Sequence, residues 1–374
     1  MKGFVPTIFI AWKIWLSVFL ILGVVFLPHK LDFLGGGAEH YLRFPWFWGW
    51  ANFDGEHYLA IAQHGYGNGE QAFFFLYPLL IRTLSWPLRG DLYFLGLSAL
   101  FISTSSFFLG LIGLWKLLEF DFKKEIIQLV MLTIIVFPTS FYFGSVYTEA
   151  LFFCFSVWAF YFARKGNWLL AGLLGALSSM TRFLGIFLLP VFIIEWWLQR
   201  KNSKIDPKVA GILLIPFGLL FYMFYLFKTT GDPFAFLHTL SMFGEQRSST
   251  PIVLPQVFWR YFKILVDVPK DNPIFLTTLL EFVVAVGFLL LSFLSFVKLR
   301  LSYAIWLTLG YIIPTLSGSF SSLPRYVLPL FPGFLIMAIY LNKKSILIKA
   351  AFLVSFFVLL GVFTMLFTRA YWVS

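Results

Sequence analysis

A succession of long apolar segments constrains this chain more than any other feature. A helix needs about 20 consecutive apolar residues to cross a bilayer, and such segments recur from one end of the sequence to the other. Of the 374 residues, 60% are hydrophobic and 12% are charged, compared with about 25% charged in a typical soluble domain. Helices satisfy their own backbone hydrogen bonds in lipid, so the sequence predicts an all-α polytopic membrane protein.

Hydropathy predicts nine spans and one apolar stretch that is too long for a single helix. Thr181-Arg182 interrupts that stretch, residues 167–199. We therefore expect two short helices there, 167–181 and 184–199, that form a hairpin; the alternative is one tilted helix with a buried arginine. The total is about 11 transmembrane helices in a single domain, residues 1–374. The nine other spans are 7–27, 91–116, 126–143, 146–163, 208–228, 274–298, 301–317, 324–341 and 346–368.

Basic residues indicate which loops share a side of the membrane, because short loops rich in Lys and Arg stay in the cytoplasm. Nearly all basic clusters fall on one side if the N-terminus is inside and residues 73–88 form a short surface or re-entrant helix. Pro78 and Pro87 favour a short broken helix. Residues 28–90 and 229–273 then form outer loops, and the C-terminus is outside. The net charge of +11 fits such topology signals, and the sequence contains no nucleic-acid-binding motif.

Ionisable residues concentrate on the predicted outer face. Charges near an apolar bundle are costly and indicate a functional site, although a solvated loop also carries charges without a function. Arg182 has a structural alternative, which is simply to pair with Glu149, and Arg325 has another, which is to anchor at the interface. The candidates are Asp54, Glu56, His57, His64, Tyr66, Tyr147, Glu149, Arg182, Asp232, His238, Glu245, Gln246, Arg247 and Arg325.

Two histidines in the first outer loop raise the question of a metal ion. His57 and His64 are seven residues apart, so they share one face if this loop is helical. Together with Asp54 or Glu56 they could ligate a divalent cation. Neither the spacing nor the third ligand is diagnostic, so no cofactor is firmly implied and the cation stays an open alternative.

Several sequence blocks, in order, resemble the PIG-V family of mannosyltransferases, which belongs to the glycosyltransferase C (GT-C) superfamily. Two positions depart from the family pattern: Phe53 replaces the usual tryptophan and Phe75 the usual proline. The resemblance covers about residues 46–340. The blocks are FDGEHYLAIAQHGY (53–66), FFFLYP (73–78), YTE (147–149) with TRFLG (181–185), GDPFAF (231–236), and PRY (324–326) leading to FP (331–332).

The resemblance implies a GT-C-type bundle with short juxtamembrane helices in the first outer loop, which carries the catalytic acid. It also implies a membrane glycosyltransferase that takes a sugar, most often mannose, from a polyprenyl- or dolichyl-phosphate donor. The acceptor is a hydroxyl of a glycolipid or glycan, and the transfer inverts the anomeric carbon. Asp54 occupies the position of the family's first-loop aspartate and is the expected general base. The expected ligands of the donor phosphate and sugar are Arg325, Arg182, Arg247, Glu149, Tyr147, Glu56 and His57.

Other functions fit part of the same pattern. A GT-C transferase could use a different lipid-phosphate sugar, and a pseudo-enzyme or partner-dependent subunit would keep the same fold. A lipid or sugar transporter (flippase) also needs polar groups in a membrane bundle, but transporters typically have internal repeats and polar groups at the midplane, and here the polar residues gather on one face. The compact loops favour the plasma membrane of a prokaryote, with the active site on the extracytoplasmic face.

Overall fold

The computed structural model describes residues 1, 3–30, 38–88, 90–200, 207–239, 242, 248 and 250–373, and these contain helices and no β-strand. The helices of the first half are α1 Phe4–Phe26, α2 Ala38–Arg43, α3 Pro45–Trp48, α4 Asp54–His64, α5 Leu76–Ser85, α6 Leu92–Leu118, α7 Lys124–Val136, α8 Glu149–Arg164 and α9 Trp168–Thr181. Those of the second half are α10 Leu188–Gln199, α11 Ile215–Thr230, α12 Ala235–His238, α13 Leu254–Asp267, α14 Pro273–Lys298, α15 Leu301–Thr315, α16 Leu323–Tyr326, α17 Phe331–Asn342 and α18 Ile346–Thr368. Short 3₁₀ segments cover Gly49–Ala51, Glu70–Ala72, Trp86–Leu88, Ser140–Gly144, Phe183–Phe187 and Pro207–Leu214.

Within the described residues, five helical segments are long and apolar enough to cross a membrane. The protein is therefore an all-helical integral membrane protein, and the number of about 11 spans stays a prediction. The five are Phe4–Phe26, Leu92–Leu118, Pro207–Thr230, Pro273–Lys298 and Ile346–Thr368. Shorter apolar helical segments are Trp168–Thr181, Phe183–Gln199, Leu301–Thr315 and Phe331–Asn342.

Prolines shorten some of the predicted spans. The predicted helix 126–143 ends at Val136, because Phe137 precedes Pro138 and its backbone leaves the helical region (ψ 139°). The predicted span 324–341 is wrong as one continuous helix. It divides into α16 and α17 around Pro329, since a proline in a helix interior loses a hydrogen bond and clashes with the preceding turn.

The apolar stretch 167–199 is split at Arg182, as the hairpin prediction had it. Arg182 has extended backbone (φ −153°, ψ 147°) between α9 and the 3₁₀ segment that leads into α10. That segment packs closely on the end of α9, where a Cβ on Gly185 would lie 2.3 Å from the Ser179 nitrogen. The alternative of a single tilted helix is therefore wrong.

A cluster of ion pairs joins the ends of α6, α8, α10 and α15. Glu195 on α10 is fully buried and accepts a hydrogen bond from Nε of Arg300 at 2.6 Å. Nε of Arg164 lies 3.5 Å from the other oxygen of Glu195, and Arg164 also pairs with Asp121 beyond the end of α6. We call Asp121, Arg164, Glu195 and Arg300 the Glu195 cluster. Its contacts hold two basic loops, around 164 and 300, at one end of the bundle.

The helix α8 separates this cluster from a second one. Arg164 ends α8 and Glu149 begins it, and 15 residues at 1.5 Å each give about 22 Å between them. Helix α9 starts just after Arg164 and ends beside Arg182, which pairs with Glu149. Helix α10 then returns to Glu195. The structure therefore has two charged clusters at opposite ends of α8.

Removing the carboxylate of Glu195 should destabilise the fold. We expect Glu195→Gln to lower the free energy of unfolding by on the order of 3 kcal/mol, because Arg164 and Arg300 would lose their shared buried partner. Chemical unfolding of the purified protein in detergent measures this loss. Glu125→Gln, at an exposed position near the start of α7, is the matched control and should change little. Equal stability of the two variants would contradict a structural role for the Glu195 cluster.

Candidate functional site

Asp54 is the first residue of α4, and an unusual turn places it there. Phe53, just before it, has a φ of +60°, which is strained for a residue with a side chain. Packing holds this turn: the Phe53 ring lies 5.3 Å from that of Trp372 and 5.9 Å from that of Phe367. The N-terminus of a helix also favours a carboxylate. The strained turn thus fixes a negative charge at a defined position in the bundle.

Arg325 contacts Asp54 across the whole length of the fold. Its Nη1 donates to Oδ2 of Asp54 at 2.5 Å, although 271 positions separate the two residues. Arg325 is 7% exposed, and three tyrosine rings surround its guanidinium. The ring centroids of Tyr147, Tyr326 and Tyr142 lie 5.2, 5.2 and 5.5 Å from its central carbon. Cation–π contacts of this kind stabilise a desolvated arginine.

Glu149 bridges this pair to a second arginine. Its Oε1 pairs with Arg182 and lies 3.4 Å from Nε of Arg325. Glu149 is 1% exposed, and its other oxygen, Oε2, has no hydrogen-bond partner within the described part of the chain. We call Asp54, Glu149, Arg182 and Arg325 the Asp54 cluster. It contains two negative and two positive charges, so it is neutral overall, and it retains an acceptor atom that a substrate hydroxyl can use.

Tyr147 connects the cluster to the loop before α4. Its hydroxyl donates to the carbonyl of Asn52 at 2.8 Å, and its ring lies beside Arg325. The predicted role of Arg182 as a partner of Glu149 and its predicted role as a phosphate ligand are both compatible with this arrangement.

The other two candidates on α4 have different surroundings. His57 pairs with Glu70 through Nδ1 and Oε1, 3.0 Å apart, and its ring stacks on Phe73. Burial raises the pKa of Glu56 to about 8, so its carboxyl is largely neutral at pH 7 and can donate a hydrogen bond. A partly buried neutral acid therefore lies two residues, about half a helical turn, after Asp54.

Several predicted site residues lie away from the Asp54 cluster. His64, at the end of α4, is exposed, and the hydroxyl of Tyr66 donates to the carbonyl of Phe73. Asp232 and His238 form a separate, exposed pair. The remaining three candidates, Glu245, Gln246 and Arg247, lie outside the described residues.

A metal ion finds no ready set of ligands in the described ranges. No group of three or more His, Cys, Asp or Glu side chains is close enough there to hold one. His57 and His64 do lie on one helix, but His57 is engaged by Glu70. The Asp54 cluster itself consists of two carboxylates and two guanidinium groups.

Sequence reasoning missed two tyrosines beside the cluster and a buried carboxylate on another helix. Tyr142 and Tyr326 flank Arg325; the signal for Tyr326 was its place directly after Arg325. Glu281, within the long apolar helix α14, is 4% exposed and accepts a hydrogen bond from Tyr261 at 2.9 Å. Tyr261 in turn contacts Ser319, in the segment before α16. A lone carboxylate in a span was the available signal for Glu281.

Part of the chain matches the model of a known protein family. Residues 39–201 match the family model described as Mannosyltransferase (PIG-V), which confirms the predicted resemblance over that part of the chain. The matched segment contains Asp54, Glu149 and Arg182, whereas Arg325 lies beyond it. No curated protein matches the chain.

Among solved structures, the chain is similar to the crystal structure of the Archaeoglobus fulgidus oligosaccharyltransferase in the apo form. The alignment has 13% sequence identity and a TM-score of 0.49, and it covers 99% of this chain and 56% of the other. The chain thus spans little more than half the length of that protein.

The raised pKa of Glu56 makes stability depend on pH. An unperturbed glutamate ionises near pH 4.5, so the folded state binds more protons than the unfolded state between about 4.5 and 8. The contribution of Glu56 to the free energy of unfolding is therefore fully present below pH 4.5 and is lost as the pH rises towards 8. We expect the thermal unfolding temperature of Glu56→Gln to depend less on pH between 4.5 and 8 than that of the wild type. A pH profile of the variant that is parallel to that of the wild type would contradict this assignment.

Proposed function

We propose that this protein transfers a sugar from a polyprenyl- or dolichyl-phosphate donor to a hydroxyl of a lipid-linked or glycan acceptor, with mannose as the sugar. The family match over residues 39–201 supports the class of reaction. One observation carries the proposal: Asp54 and Arg325 meet in a buried cluster at one end of an apolar bundle. A carboxylate and a guanidinium are the two groups that transfer from a lipid phosphate requires, as base and as phosphate ligand.

The reaction is a single displacement with inversion. Asp54 takes the proton of the acceptor hydroxyl as its oxygen attacks the anomeric carbon. The bond between the anomeric carbon and the phosphate oxygen breaks, and the lipid phosphate leaves with the electron pair. Arg325 binds the phosphate oxygens as their charge grows, because an arginine is always charged and bidentate towards phosphate. Charge stabilisation at that point lowers the barrier directly.

The contact between Arg325 and Asp54 couples donor binding to catalysis. A carboxylate beside a guanidinium is a weak base, because the positive charge stabilises its ionised form. A donor phosphate competes with Asp54 for Arg325. When the phosphate takes the arginine, Asp54 loses a stabilising neighbour and becomes a stronger base, so the base is activated only after the donor is bound.

The remaining residues of the site bind or orient. Arg182 either contributes to the phosphate site or holds Glu149, whose Oε2 can accept a hydrogen bond from a sugar hydroxyl. Glu56 and His57 contact sugar hydroxyls or orient Asp54. Tyr147 provides a ring face near the sugar, and Arg247 keeps its predicted role as a further phosphate ligand.

We further propose that the site faces the extracytoplasmic side of a prokaryotic plasma membrane. The Glu195 cluster, with the basic loops around 164 and 300, lies at the other end of α8. Basic loops stay in the cytoplasm, so this arrangement supports an outward-facing Asp54 cluster.

Replacing Asp54 should abolish transfer and spare donor binding. In detergent, with radiolabelled polyprenyl-phosphate mannose and a membrane-lipid extract as acceptor, Asp54→Asn should form no labelled product. The same variant should bind the donor at least as tightly as the wild type, since the competitor for Arg325 is weakened. Asp271→Asn, an exposed aspartate of the second outer loop, should transfer at the wild-type rate. Wild-type transfer by Asp54→Asn would disprove the assignment of the base.

Replacing Arg325 should slow the chemical step. We expect Arg325→Gln to reduce kcat by about 10²–10³-fold, because the charge that develops on the leaving phosphate loses its main ligand. The exposed Arg82 on α5 provides the matched control, and Arg82→Gln should keep full activity. Single-turnover kinetics separate this effect from donor binding. An unchanged kcat in Arg325→Gln would assign the phosphate to another arginine.

A further inference from the structure

A second buried arginine lies at the same end of the bundle as the Asp54 cluster. Arg369 directly follows α18 and is 8% exposed. Its Nε donates to the carbonyl of Leu27 at 2.9 Å, and its guanidinium carbon lies 5.9 Å from the centre of the Tyr41 ring. Unlike Arg325, it has no carboxylate at ion-pair distance among the residues that the structure covers. A buried charge without a counter-ion is costly, so this position favours an anion.

His29 adds a second group that lacks a partner. Both of its ring nitrogens are buried, and neither has a hydrogen-bond partner in the described segments. The imidazole packs against Tyr41, with ring centres 3.9 Å apart. Burial and then the charge of Arg369 lower the pKa of His29, so the ring is neutral at pH 7 and carries one N–H donor. An anion at this position would satisfy both His29 and Arg369.

The position of these residues identifies the kind of anion. Helices α1 and α18 are both candidate spans of 23 residues, about 35 Å long, which exceeds a hydrocarbon core of about 30 Å. The C-terminal ends of the two helices meet where the backbone N–H of Lys30 donates to the backbone carbonyl of Arg369 at 3.1 Å. The Lys30 residue is exposed. A span longer than the hydrocarbon core ends among the lipid headgroups, so an arginine just beyond the end of α18 comes within reach of a lipid phosphate.

We propose that Arg369 and His29, which both contact Tyr41, form with the adjacent Lys30 a second anion-binding site that takes the phosphate of a membrane lipid. The guanidinium binds phosphate oxygens directly, His29 donates one hydrogen bond, and the exposed Lys30 adds a positive charge beside them in the chain. The lipid chains then lie along α1 and α18. This inference does not depend on the proposed transferase activity.

Asn52 and Tyr147 connect the second site to the Asp54 cluster by hydrogen bonds to backbone carbonyls. Asn52 donates to the carbonyl of Phe367 at 2.7 Å, two residues before Arg369, and its own carbonyl accepts from Tyr147. Tyr147 lies beside Arg325. The lipid phosphate is therefore held next to the Asp54 cluster, at a different arginine from the one proposed for the donor.

Native mass spectrometry of the full chain in detergent tests the site. The probes are phosphatidic acid, diacylglycerol with the same acyl chains, and inorganic phosphate. We expect phosphatidic acid to bind the wild type, Arg82→Gln and Arg325→Gln at the Arg369 site, and Arg369→Gln to weaken this binding about ten- to hundredfold. Diacylglycerol should bind weakly to all four proteins, and inorganic phosphate should not displace the lipid at equal concentration.

Two outcomes would overturn the proposal. Equal binding of phosphatidic acid by Arg369→Gln and the wild type would exclude the site. Displacement by an equal concentration of inorganic phosphate would indicate a site for free anions and not for lipid. If Arg369→Gln does not fold, the double variant His29→Ala with Lys30→Gln replaces it, since neither side chain holds other described residues by a hydrogen bond. Wild-type binding by that variant would also exclude the site.

Discussion

The cost of burying charge in an apolar bundle governs the structure around the candidate site. Arg325 and Glu149 are almost fully buried, and each would be strongly destabilising alone. They are tolerated because Asp54 and Arg182 complete a neutral set of four charges. These residues come from α4, α8, the break after α9, and α16, so charge neutrality requires four distant elements to dock together. The geometry of the site therefore depends on the packing of the whole bundle.

Breaks in the helices make this arrangement accessible. Asp54 follows a strained turn at Phe53. Arg182 itself has extended backbone between two helical segments. Arg325 lies on a one-turn helix, α16, with non-helical backbone on both sides. Irregular backbone at membrane depth is tolerated only where protein or a water-filled cavity surrounds it. All three breaks occur at the same end of α8, where side chains from ends of helices can converge. Without these breaks, continuous helices would not bring the three side chains together.

The two buried arginines at this end of the bundle differ in what an anion must displace. Arg325 is neutralised by Asp54 and Glu149, so a phosphate binds there only by exchanging with a carboxylate. Arg369 has the Leu27 carbonyl and the ring and hydroxyl of Tyr41 as neighbours. None of these is a carboxylate, so we expect a phosphate to bind there without displacing a counter-ion. The first arrangement couples binding to the state of a base, and the second only holds an anion in place.

The sequence by itself determined the environment and the class of the fold. Long apolar runs require helices in lipid, and the five longest described helical segments coincide with predicted spans. The blocks around Asp54, Glu149 and Arg182 also carried the family resemblance, which rests on local patterns. The sequence also contains the signal for the division of 324–341, which is Pro329. Hydropathy alone does not detect this break, because the residues on both sides of the proline are apolar.

Only the tertiary structure decided which charges meet. Nothing in the sequence pairs Asp54 with Arg325 across 271 positions, because an ion pair depends on distance in space, and that distance is set by packing of the whole bundle. The same holds for Glu195 between Arg164 and Arg300, and for Arg369 beside His29 and Tyr41. Hydropathy is a property of each segment and can be read locally, whereas the neutralisation of buried charge belongs to the assembled fold.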